Sequence, residues 1–133
     1  MKLTARCEYA LLALIYLARN QMDEYIPVHA IASAQQIPPR FLEEILLVLR
    51  RASYVHSTKG KRGGFLLVKS PDRISLAEII RLFDGALAPT ESVSRYFYSP
   101  TPIEKEGRLL EVFQGLRDYV AGKLEETYLS DVM

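Results

Sequence analysis

The chain has 133 residues, 49% of them hydrophobic and 25% charged. That length and mix support one domain with a real apolar core and exclude disorder for most of the chain. The net charge is only +1 and Cys7 is the single cysteine, so no internal disulfide can form, and no stretch approaches the ~20 apolar residues of a membrane span.

A reducing, cytoplasmic setting without membrane attachment is therefore expected. The charge distribution says more than its total. Residues 1–69 carry ten Lys/Arg against five Asp/Glu, and residues 70–133 carry seven against eleven. Positive charge concentrated in one half can form a patch that attracts phosphates.

In chain order, Thr4 is placed to cap a first helix running to about Asn20. Its stretch Tyr9–Leu17 is apolar almost all round, which predicts a central, buried helix. A polar turn, Asn20–Tyr25, follows. Pro27 suits the first turn of a second, short helix from Val28 to about Gln35. Pro38 disfavours helical geometry at Ile37, and Pro39 is placed to open a third helix. Two helices joined by so tight a turn have helix-turn-helix spacing.

Within the third helix Leu42, Ile45, Leu46 and Leu49 form a core stripe, leaving Arg40, Glu43, Glu44, Leu47 and Arg51 on the other side. Leu47 there fits either a thymine methyl contact or the edge of the core. Two strands, Tyr54–Thr58 and Phe65–Lys69, flank Lys59-Gly60-Lys61-Arg62-Gly63-Gly64, whose glycines permit the positive φ angles of a hairpin turn. Ser75 and Glu78 fit a capping box, Ile74 and Ile79 a hydrophobic staple, and Gly85 a left-handed cap for a fourth helix ending near Asp84.

Residues 86–102 read as an irregular linker in which Tyr96, Phe97 and Tyr98 are expected to bury. From about Glu104 to Leu129 a long helix carries the stripe Leu109, Val112, Phe113, Leu116, Tyr119, Val120 and Leu124, better suited to a partner than to the preceding domain. Gly115 and Gly122, seven residues apart, each cost such a helix on the order of 1 kcal/mol, which a close helix–helix approach would explain. The alternative is that they are merely tolerated.

A helix with a polar face followed by a cationic hairpin has the shape and charge to read duplex DNA. Glu can accept from cytosine N4, and Arg can bond guanine bidentately. Clustered cations on the hairpin gain from counterion release along the backbone or minor groove. The expected DNA-contacting set is Pro39, Arg40, Glu43, Glu44, Arg50, Arg51, Ser57, Thr58, Lys59, Lys61 and Arg62. The competing reading of the three hairpin cations is a solvated tip kept soluble by charge.

Other chemistry is thin. Cys7 in an apolar helix reads as core before it reads as a redox site. His29 and His56 show no metal-ligand spacing. KGKRGG lies within a hairpin, not between strand and helix, so it is no phosphate-binding loop. No nucleophile–base pair or paired carboxylates stand out, so an enzyme is not expected.

At this point the chain resembles the winged-helix transcription regulators of the IscR/NsrR/CymR group, the Rrf-two family. The matching residues are Lys2-Leu3-Thr4, Tyr9-Ala10 and Leu17-Ala18; Ile26-Pro27-Val28 with Ile31-Ala32; and Ile37, Leu42-Glu43 and Leu49-Arg50. They continue with Gly60, Gly63-Gly64-Phe65-Leu66-Leu67, Ile74-Ser75 and Glu78-Ile79. The resemblance spans essentially the whole chain.

It implies a mainly α fold with a small β-hairpin wing: a winged helix-turn-helix DNA-binding domain over 1–85, a linker over 86–103 and a dimerisation helix over 104–133. It implies a homodimer whose long helices cross and whose third helices face successive major grooves. Cluster-binding members carry three cysteines between the fourth and the long helix. Here Gly85–Gly107 has none and no histidine, and one carboxylate, Glu8, cannot hold an iron–sulfur cluster without thiolates.

The chain therefore resembles the cluster-free branch, with no cofactor expected. The leading expectation is a homodimeric regulator, acting as a repressor on a two-fold symmetric operator. The others are a winged-helix protein–protein adaptor, and a ligand- or redox-sensing regulator with a small-molecule or protein effector near the linker aromatics.

Overall fold

The computed structural model describes residues 1–20 and 24–133. Helix α1 spans Ala5–Arg19, α2 Val28–Gln35, α3 Pro39–Arg51, β1 Val55–Thr58, β2 Gly64–Leu67, α4 Leu76–Asp84, α5 Gly107–Glu125 and α6 Leu129–Val132, with short 3₁₀ turns at Pro71–Arg73, Glu91–Val93 and Pro102–Lys105. The middle of the expected polar turn over 20–25 lies outside the described residues.

α1 packs against α2, α3, α4 and α6. Its Ala10, Ala13, Leu14, Leu17 and Ala18 are buried and Tyr9, Leu11, Ile15 and Tyr16 partly so, while Leu12 is exposed, so the helix is central but not covered all round. Thr4 caps it, accepting from the Cys7 N–H at 3.2 Å, while the Thr4 N–H and hydroxyl donate to the Asp84 carboxylate at 3.0 and 2.5 Å. The start of α1 is thereby tied to the end of α4. Gly85 has φ +82° but ψ −123°, so it leaves α4 through a glycine-favouring conformation other than the expected left-handed helical one.

The turn between α2 and α3 is a Schellman closure. Gln36 sits in the left-handed region at φ 53° and ψ 49°, the Ile37 N–H reaches back to the Ala32 carbonyl at 2.9 Å, and the Ile37 side chain is buried. Pro27 stands just outside α2 as its cap, not in its first turn. Pro39 opens α3 as expected, and Leu42, Ile45, Leu46 and Leu49 are its buried stripe. α3 closes in the same way as α2, with Ser53 at φ 67° and the Tyr54 N–H on the Leu49 carbonyl at 2.9 Å.

β1 and β2 pair antiparallel, Val55 opposite Leu67 through Thr58 opposite Gly64. Ile26 pairs with Phe65 on the other side of β2. The Ser75–Glu78 capping box is present. Glu78 also accepts from the Tyr54 hydroxyl at 2.5 Å and lies 3.7 Å from the Lys69 ammonium, while that ammonium sits 4.9 Å from the Tyr54 ring centroid. This cluster joins the end of α3 and the end of the hairpin to the start of α4.

Burial alone would raise the Glu78 carboxyl, but the hydrogen bonds from Tyr54 and Ser75 and the Lys69 charge hold it below its ordinary value of 4.5. A depressed folded-state value adds stability that is present above the unfolded value and lost as pH falls through the folded one. Glu78→Gln should therefore cost about 1 kcal/mol at neutral pH. It should also flatten the acid limb of a stability–pH curve below about pH 4.5, as denaturant melts across pH would show.

The C-terminal part departs from expectation. α5 ends at Glu125, not Leu129. The chain then turns back. The Leu76 N–H bonds the Thr127 carbonyl at 2.8 Å, the Leu129 N–H bonds the Ile74 carbonyl at 2.9 Å, and Leu129 is fully buried in the main core. Ala121 and Leu124 pack with Cys7, Ala77, Ile80 and Leu87 in a second cluster. One face of α5 is thus spent on its own chain.

The segment 86–103 is packed rather than loose: Leu87, Ala88, Ser92, Val93 and Ser94 are buried, and Arg117 donates to the Val93 carbonyl at 2.9 Å. Tyr96, Phe97 and Tyr98, expected to bury, are 68%, 46% and 59% exposed. Tyr96 is covered instead by the Arg81 guanidinium at 4.8 Å, and the Tyr98 hydroxyl donates to Glu104 at 2.6 Å. Amphipathic rings tolerate such positions.

Candidate nucleic-acid interface

Pro39 places the first turn of α3 at the protein surface, and Pro39, Arg40, Glu43, Glu44, Arg50 and Arg51 are all exposed along the helix. Leu47 is half-buried among them. The Arg40 guanidinium lies 5.1 Å from the centroid of the Phe41 ring, a cation–π stack that steadies it while leaving its N–H groups available. Phe41, 43% exposed, is a member of this face that pattern reasoning missed. It flanks the core stripe, so periodicity gave it neither a core nor a surface role.

At the other end of the helix the Arg50 guanidinium donates to the Ser57 hydroxyl on β1 at 3.1 Å. Those two residues of the expected DNA-contacting set therefore also touch each other, linking α3 to the hairpin. Thr58 is exposed at the end of β1, and Lys59, Lys61 and Arg62 are exposed on the turn. Among the described residues none of the ion pairs engages Arg40, Arg50, Arg51, Lys59, Lys61 or Arg62. Their charge is available to an outside anion.

Beside the hairpin a concavity of about 510 Å³ is lined by Glu24, Tyr25, Pro27, Lys61, Arg62 and Gly63. Tyr25 is the second residue that sequence reasoning left out, since it reads there only as the end of a turn.

Cys7 is fully buried. Burial first, then the Asp84 and Glu8 carboxylates, push its thiol up from 9.0 to about 12. The thiolate is the reactive form, so the raised value disfavours redox chemistry at this cysteine and goes with its reading as a core residue. A raised folded-state value contributes stability that is complete below pH 9 and drains away as pH rises through about 12.

A helix-turn-helix whose second helix presents a polar face, followed by a cationic two-stranded wing, defines a winged-helix DNA-binding regulator. The comparisons with known proteins agree. The Rrf2 family model, described as an iron-dependent transcriptional regulator, matches residues 3–133, and the chain belongs to that family.

A candidate HTH-type transcriptional regulator of Mycobacterium tuberculosis is 35% identical, with 99% of this chain and 81% of that one covered. The HTH-type transcriptional regulator CymR of Bacillus subtilis is 29% identical over 99% of this chain and 89% of its own. The solved structure of CymR, the global cysteine regulator of B. subtilis, superposes with a TM-score of 0.79, covering 99% of this chain and 95% of that one. The family and these relatives are transcriptional regulators, not enzymes.

The family's description invokes iron, and the residues here do not fit an iron–sulfur cluster. The chain has a single cysteine, fully buried, and a cluster needs several thiolates. Among the described residues no group of three or more His, Cys, Asp or Glu side chains is placed to hold a metal ion.

Proposed function

We propose that the protein is a cytoplasmic, homodimeric DNA-binding repressor that recognises a two-fold symmetric operator without an iron–sulfur cluster. The observation that carries this reading is the exposed reader face of α3 beside the exposed cations of the wing, which no ion pair among the described residues engages. Arg40, Glu43 and Glu44 near the start of α3 reach base edges or phosphates in the major groove. Lys59, Lys61 and Arg62 neutralise backbone phosphates beside it. Arg50, Arg51, Ser57 and Thr58 lie between the two.

The dimer is supported by α5. Leu109, Val112, Leu116 and Tyr119 are 43%, 58%, 49% and 73% exposed, too much apolar surface along one helix to leave in water. Phe113 and Val120 are half-buried beside them, and Leu124 is turned toward its own domain. Gly115 has no neighbouring atom within 4 Å of where a Cβ would stand, so a second backbone can approach there. A dimer duplicates the reader at a spacing of about one helical turn of DNA. A bound dimer then occupies the duplex, and repression follows from occupancy alone. Among the described residues no helix is long and apolar enough to cross a membrane. An effector, small molecule or protein, would act by biasing the dimer.

The test is a selection from randomised duplexes with the purified protein and with Arg40→Ala and Glu43→Ala. The unaltered protein should enrich a palindromic motif, and each variant should relax the preference at one symmetric pair of positions by about 1–3 kcal/mol. Variants that return the unaltered motif would remove α3 as the reader.

A further inference from the structure

We infer that Gly64 and the backbone of Ile26 form a clamp that fixes the cationic wing in its reading pose against the helix-turn-helix unit. The inference rests on the DNA-binding reading above and adds to it two positioning residues that touch no DNA. Ile26 immediately precedes Pro27, the cap of α2. Its N–H donates to the Phe65 carbonyl and its carbonyl accepts from the Phe65 N–H, both at 2.8 Å. β2 is therefore held on both edges, by β1 and by the residue that leads into α2.

Gly64 lies at the crossing. A Cβ built there would stand 2.2 Å from the Ile26 carbonyl oxygen, 2.3 Å from its carbon and 2.7 Å from the Pro27 nitrogen. All three are backbone atoms, which cannot swing aside as a side chain can. The φ of +155° at Gly64 is also one that L side chains rarely adopt. Any side chain at this position must push Ile26 off β2 and open the reciprocal pair. The wing then keeps its charges, its β1–β2 pairing and its base, held by Val55 and Leu67 in the core and by the Lys69–Glu78–Tyr54 cluster, but its distal part loses its fixed angle to α3. There the remaining tie, Arg50 to Ser57, is a single exposed hydrogen bond.

The contrast with the turn tip is informative. Gly60 also has a positive φ, +104°, but nothing lies within 4 Å of its Cβ position. Gly60 serves the turn, whereas Gly64 serves the join between wing and domain.

The experiment compares the unaltered protein, Gly64→Ala and the triple variant Lys59→Gln/Lys61→Gln/Arg62→Gln on one enriched duplex, by affinity across salt and by hydroxyl-radical footprint. Gly64→Ala should keep its helical circular dichroism and lose roughly tenfold or more in affinity. Its salt slope should fall toward that of the triple variant, by about 0.9 for each phosphate the wing no longer neutralises. Protection should vanish on the wing flank and persist where α3 lies. Unchanged affinity, slope and footprint in Gly64→Ala would overturn the clamp. An unaltered protein that binds no duplex would instead overturn the DNA-binding reading.

Amide exchange on the unaltered protein decides the matter even if Gly64→Ala does not fold. The Ile26 and Phe65 amides should open together and more slowly than those of residues 59–63. Exchange as fast as at the tip would overturn the clamp.

Discussion

Replacing Lys59, Lys61 and Arg62 together with glutamine is expected to weaken binding to every duplex, operator or not. The three side chains are exposed, and no ion pair among the described residues engages them, so their replacement leaves no buried partner behind and the fold intact. Each phosphate they neutralise releases condensed counterions, worth about 0.9 in the slope of log affinity against log salt. Removing all three charges should lower that slope by up to about 2.7 and affinity by roughly 10- to 100-fold near physiological salt. The ratio of operator to non-operator affinity should change little, because bonds to phosphate carry no sequence information. Fluorescence anisotropy titrations at several salt concentrations check this. An unchanged slope would remove the wing from the interface.

Leu116→Asp is expected to give a folded monomer. Leu116 is 49% exposed within one chain, so a carboxylate there is hydrated in the isolated subunit and costs it little. In a dimer the same carboxylate would be desolvated against the second α5, at a cost of several kcal/mol. With the dimer broken, the two readers no longer bind as one body, and operator affinity should drop by about 10²–10⁴. Light scattering reports the mass and a helical circular dichroism spectrum reports the fold. A variant that remains a dimer would show that association does not run through α5.

Much of this architecture was legible because local rules and burial agree in it. The 3–4 spacing of Leu42, Ile45, Leu46 and Leu49 and the Ser75–Glu78 box each appear in the structure as read. What stayed hidden has identifiable causes. Left-handed closures are signalled by glycine, and here Gln36 and Ser53 occupy them, so the two Schellman turns left no mark. Gly63 and Gly64 look in sequence like residues chosen for φ, but only Gly64 of the two has a positive φ. The folded backbone reveals that both are too crowded for a side chain.

The return of the chain at Thr127–Leu129 depends on backbone bonds to Ile74 and Leu76, more than fifty positions away, which no local window contains. The linker aromatics failed for the opposite reason. Hydrophobicity argues for burial on average, but Ser92, Val93 and Ser94 are the buried residues there and the larger rings are exposed. In the candidate interface the cations of α3 and the wing stand out by charge and by their place on a polar helix face and a glycine-rich turn. The Phe41 stack and the Tyr25 wall needed the fold, since neither residue stands out by type.

The most direct test is sedimentation of the protein with an enriched duplex at low salt. Two chains per duplex, with Leu116→Asp giving weak binding by one, is the predicted result. A protein that forms no complex with any duplex, or that saturates a symmetric duplex as a single chain, would contradict a homodimeric DNA-binding regulator.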